Sequence, residues 1–146
     1  MMKKRVTGIG GVFFKTQNQE KLKDWYRDHL GIDSDKYGFT FKWRDYEDKE
    51  APGTTVWSPF PADTDYYSPS DKDYMINYRV ENLVIDHVVF VTDRVENLVE
   101  LLQVLKSEGV QIVGEMEEYE YGKFAWVMDP EGRKIELWEP IDAPFL

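Results

Sequence analysis

Few side chains in this sequence are equipped for acid–base or metal chemistry. There are two histidines, His29 and His87, and no cysteine, which excludes thiolate nucleophiles, disulfides and thiolate metal sites. His87 lies in the apolar stretch IDHVVFVTD, where an imidazole would act as a metal ligand or a general base. Strand alternation alone does not assign its face. His29 closes WYRDHLG, where a cation complements a helix C-terminus. Glu136 stands in KIELWEP, on the same strand face as Lys134 and Trp138. Burial beside an aromatic raises a carboxyl pKa and suits proton transfer; the competing reading is a rim glutamate paired with a cation such as Arg133.

Aromatic residues are the second candidate group. Phe13, Trp43, Trp57, Tyr119, Tyr121, Trp126 and Trp138 fall on predicted strands. Aromatics dominate β cores, and they also line small-ligand pockets. Of these, Phe13, Trp57, Tyr119, Tyr121, Trp126 and Trp138 are the candidate ligand-binding set. No nucleophile-elbow, P-loop, dinucleotide or HExxH motif is present, and GIGG opens no helix.

These residues must be positioned by short, strongly patterned elements. VTGIGGVFFK reads as a strand whose glycines permit close approach. Asn18 is the expected N-cap of a helix over NQEKLKDWYRDHL, stopped by Gly31. YGFTFKW (37–43) and TTVWSPF (54–60) read as strands, and the Pro-, Ser- and Asp-rich residues 61–73, which include Tyr66 and Tyr67, as a linker. YMINYRV (74–80) is a strand, and VENLVELLQVLKSEG an amphipathic helix. VQIVGEMEEYEY, KFAWVMD and KIELWEP complete the set, the last two joined by the turn Asp129-Pro130-Glu131-Gly132. The acidic run GEMEEYEYG is expected at a solvated rim. The resulting order is β-α-β-β-β, linker, β-α-β-β-β, an α+β fold.

Length and charge narrow the class. A chain of 146 residues suits one domain, with module one at about 5–60 and module two at about 74–141. A net charge of −10 disfavours nucleic acid and anionic membranes as partners. There is no secretory signal pattern and no membrane span, so a cytoplasmic location is expected.

One sequence feature breaks the pattern. RVENLV occurs at 79–84 and again at 94–99, and removing residues 85–99 leaves a seamless strand-to-helix junction, so this stretch reads as an insertion. Either IDHVVFVTD opens module two and YMINYRV is an added edge or linker strand, or YMINYRV keeps that place and the inserted strand bulges out or swaps into a neighbouring subunit. Thr92 or Asp93 as an N-cap favours the former. An unpaired strand promotes association.

The double module, with WYRDHLG ending its first helix and MDPEGRKIELWEP near the end of the chain, resembles the glyoxalase/bleomycin-resistance/extradiol-dioxygenase (vicinal oxygen chelate) superfamily. The resemblance implies two βαβββ modules curving a mixed sheet around a cleft. Metal-dependent members hold a divalent ion there with His and Glu from each module's first and last strands. Those positions fall here on Gly11, Thr55, His87 and Glu136, so module one has lost its ligands. A resident metal (Zn, Ni, Fe or Mn) is therefore not expected; His87 and Glu136 are the metal candidates, and a homodimer would bring two such pairs together. The activity implied is a lyase or isomerase using Glu136 on a small apolar or aromatic carbonyl compound. The alternatives are a resistance-type protein that sequesters a small molecule such as an antibiotic, or a strand-swapped assembly protein.

Overall fold

The computed structural model describes residues 5–80 and 97–141. His87, the stretch 85–93 and the candidate caps Thr92 and Asp93 lie outside the described residues. One mixed sheet of seven strands organises the rest: β1 (Val6–Thr16), β2 (Phe39–Arg44), β3 (Pro52–Pro61), β4 (Tyr74–Val80), β5 (Ile112–Tyr119), β6 (Gly122–Met128) and β7 (Lys134–Pro140). Their order across the sheet is β2-β3-β1-β4-β7-β6-β5. Three strands come from the first half and four from the second, and two helices, α1 (Gln19–Leu30) and α2 (Asn97–Ser107), complete an α+β fold.

The local signals act as their chemistry requires. Asn18 Oδ1 accepts from the Lys21 N–H at 3.0 Å, and Gly31 adopts φ 72° beyond the last turn of α1. The Asp129 carboxylate gathers the N–H groups of Glu131 and Arg133, each at 2.9 Å, which ties the β6–β7 turn. The acidic run of β5 and the turn after it leaves Glu115, Glu117, Glu118 and Glu120 exposed, as expected for a rim.

Among the described strands, β4 has a central place in the sheet. It lies between β1, antiparallel on one side, and β7, parallel on the other. The expectation that YMINYRV forms an added edge strand is thereby corrected. Alternation explains its central place: Met75, Asn77 and Arg79 are buried on one face, while Tyr78 and Val80 enter the core on the other.

The two faces are covered differently. On the helix face, Leu98 of α2 packs with Val80, Ala125, Val127 and Leu137, and Tyr26 of α1 packs on Trp57. Tyr67, Met75 and Trp126 form a second core on the opposite face, joined by Phe13, Phe60, Tyr66 and Phe124. The covering element there is the segment 61–73. It is more than a linker, because Tyr67 is completely buried and turns its chain back onto the sheet through Ser70 N–H to Tyr67 C=O at 2.8 Å.

Candidate functional site

The face opposite the helices is built from three rows of side chains. Strand register sets Trp126 beside Glu136 and Phe124 beside Trp138, and β4 places Asn77 beside Glu136 on its other flank. Glu136 is only 2% exposed. One of its oxygens accepts from Asn77 Nδ2 at 2.6 Å, and the other from Trp126 Nε1 at 2.8 Å and from the Tyr66 hydroxyl. All three donors are neutral. Burial pushes the Glu136 carboxyl above the ordinary glutamate value, although these hydrogen bonds and the Lys134 charge pull the other way. The Tyr66 and Tyr67 hydroxyls are pushed up in turn, first by burial and then by the Glu136 charge.

Lys134 stands one position along the same face. Its ammonium donates to the Tyr66 backbone oxygen at 2.7 Å and lies 5.4 Å over the Tyr66 ring and 5.6 Å over that of Trp126. Partial burial holds its pKa below the usual lysine value. At the other end of the face, the Arg79 guanidinium sits between the rings of Trp43 and Trp138, at 5.4 and 5.3 Å, and donates to Thr54 Oγ1. Gly10 makes room for this layer. A Cβ there would stand 2.8 Å from Trp138 and 2.9 Å from the Arg79 side chain.

The aromatic candidates divide between the faces. Phe13, Trp126 and Trp138 share the Glu136 face, with Phe13 5.5 Å from Phe60 and Trp138 stacked on Phe124. Tyr119 and Tyr121 stack on each other at the β5–β6 end and touch Phe124, forming a half-exposed rim. Trp57 is not with them. It packs between Phe14 and Tyr26 under α1. His29 is exposed at the end of α1 against Trp25, on the face of the sheet that Glu136 does not share.

Sequence reasoning missed two partners of Glu136. Tyr66 was hidden in a polar segment with no strand pattern. Asn77 could have been found: the alternation Met75, Asn77, Arg79 in a central strand places an amide and a guanidinium on one buried face.

The metal expectation can be tested on the donor set. In register around the site stand Gly11, Val56 and Asn77, none offering imidazole or carboxylate, and both Glu136 oxygens already accept from protein donors. Among the described residues no three His, Cys, Asp or Glu side chains group closely enough to hold an ion. The described residues therefore do not fit a divalent metal; His87, the other candidate, lies outside them. Thr55, aligned with a lost ligand, bridges strands instead by donating to the Ile9 carbonyl and accepting from Trp43 Nε1. Among the described residues, no helix is long and apolar enough to cross a membrane.

Known structures share this architecture. The methylmalonyl-CoA epimerase from Mycobacterium tuberculosis superposes with a TM-score of 0.53 at 18% identity, covering 97% of this chain and 93% of that one. The Streptomyces coelicolor methylmalonyl-CoA epimerase in complex with 2-nitronate-propionyl-CoA gives 0.57 at 12% identity, over 92% and 98%. The Mn(II)-bound glyoxalase from Novosphingobium aromaticivorans gives 0.54 at 17% identity; 92% of this chain is covered, but only 39% of that one. At such identities the likeness is one of fold. No curated protein sequence matches the chain. A sequence profile does, over residues 8–137, and it establishes that the chain belongs to the Glyoxalase/Bleomycin resistance protein/Dioxygenase superfamily.

Proposed function

We propose that the Glu136 face binds a small aromatic or apolar carbonyl compound and that Glu136 moves a proton at the carbon beside the carbonyl, the elementary step of a lyase or isomerase. The observation that supports this reading is a carboxyl group buried among aromatic rings and held by three neutral donors, with its pKa raised by burial. In the step, the ionised carboxylate takes the proton, the C–H electron pair moves onto the carbonyl oxygen as an enolate, and the resulting carboxylic acid, after trading its proton with water, returns one to carbon. Lys134 supplies a cation on the same face for the enolate oxygen.

Phenylacetone in deuterium oxide provides the test, with exchange of its benzylic protons followed by proton NMR. The protein is expected to accelerate exchange at least about tenfold over buffer, and Glu136→Gln to lose that acceleration. Dialysis against a chelator is expected to leave the rate unchanged. Absence of exchange above the buffer rate would overturn the reading.

A second reading, sequestration of an apolar molecule without turnover, draws on the closed state of the site, in which Tyr66 covers the carboxylate. Saturable binding without exchange would favour it. For assembly we propose a homodimer in which the doubled segment takes part; deletion of residues 85–99 is expected to change the mass in solution, and an unchanged mass would remove that segment from the interface.

A further inference from the structure

Tyr66 makes, from within the chain, the contacts that an aromatic ligand would make from outside. Its hydroxyl donates to Glu136. Its ring lies 5.5 Å from Phe60 and meets Trp126 edge-on at 6.2 Å, with the Lys134 ammonium over its face. This is a complete small-molecule environment: a ring slot, a cation above it and an acceptor at the far end. Its occupant happens to be covalently attached.

The two adjacent tyrosines have different roles. Tyr67 is completely buried, 5.5 Å from Phe60, beneath the Lys15 ammonium. Tyr66 is only half-buried. Its ring can therefore leave while Tyr67, the Ser70 turn and the Lys15 N–H to Asp73 C=O bond at 2.8 Å keep the segment in place.

We propose that this face is a phenol- and enol-binding site, closed in the free protein by the chain's own Tyr66 and opened when a ligand carrying a ring and an sp² hydroxyl displaces that ring. The proposal rests on the reading above, since the enol of an aromatic carbonyl compound presents the same carbon–hydroxyl unit as a phenol. The hydroxyl sets the ligand class. Without it, a ring entering in place of Tyr66 would leave the buried Glu136 carboxylate one donor short.

The probes are p-cresol, which is the tyrosine side chain itself, and toluene, which lacks only the hydroxyl. Titration calorimetry on the full chain is expected to show p-cresol binding Tyr66→Ala at least about tenfold more tightly than the unsubstituted protein, and about tenfold more tightly than toluene binds the same variant. Tyr66→Ala that retains its circular dichroism but binds no p-cresol, or binds both probes equally, overturns the proposal. If that variant fails to fold, Tyr66→Phe replaces it, because it keeps the ring and loses the bond that holds the site shut. It should bind p-cresol more tightly than the unsubstituted protein, and equal affinity is the overturning result. The two readings fail separately. Glu136-dependent exchange of phenylacetone with no p-cresol site in the variant sinks only this proposal, whereas p-cresol binding without exchange sinks only the proton-transfer reading.

Discussion

The Trp126 indole N–H and the Glu136 carboxylate meet at 2.8 Å across paired strands, in a layer where Glu136 is 2% and Trp126 7% exposed. An N–H donor inside an apolar face stabilises the charged form of a carboxyl that burial disfavours. Trp126→Phe keeps most of the ring and removes that donor. The expected cost is about 1–2 kcal/mol, read as a lower urea midpoint with an unchanged slope. An unchanged midpoint would mean that the bond contributes nothing.

Burial of Glu136 also fixes the sign of a pH dependence. Its folded pKa is raised above 4.5, the ordinary value, so above that pH the unfolded chain releases this proton more readily than the folded one. The folded state then binds more protons, and stability falls as pH rises from 4.5 through the folded pKa, levelling beyond it. Asp129, held low by the Arg133 N–H, acts in the opposite sense at more acidic pH. Comparison with Glu136→Gln isolates the Glu136 contribution: denaturation midpoints from pH 4.5 to neutrality should fall more for the unsubstituted protein. A difference that is constant or grows the other way would contradict the assignment.

Gly10 is held by space rather than by backbone angle. A Cβ there would overlap Trp138 and the Arg79 side chain, and all three are in the closely packed layer of the Glu136 face. Gly10→Ala is expected to destabilise by about 1–3 kcal/mol. At Gly109, where φ is 85° and nothing lies within 4 Å of an added Cβ, the cost of Ala should come from backbone strain alone, about 1 kcal/mol. Thermal midpoints of the two variants check the ranking.

How much of this was legible in the sequence differs from element to element. Asn18, Gly31 and the Asp129 turn announced themselves because capping and turn chemistry is local. Glu136 was legible because its strand alternates and begins just after a well-marked turn. The place of β4 was not, since strand order depends on contacts distant in the chain and two stretches competed for one slot. The roles of Tyr66 and Tyr67 were invisible for a related reason: a polar composition predicts exposure, and only the tertiary fold shows two rings of that segment turned onto the sheet. Trp57 illustrates the limit of composition, being one residue from Ser58 and on the other face.

The central claim, that Glu136 is a buried titratable carboxyl poised to exchange a proton, is tested most directly by its own titration. With glutamate labelled at the carboxyl by carbon-13, the Glu136 resonance is identified by its loss in Glu136→Gln and followed by NMR from acid to neutral pH. The account predicts a midpoint above 4.5, moved further upward by Trp126→Phe as a donor to the charged form is lost. A midpoint at or below 4.5, indifferent to Trp126, would contradict it.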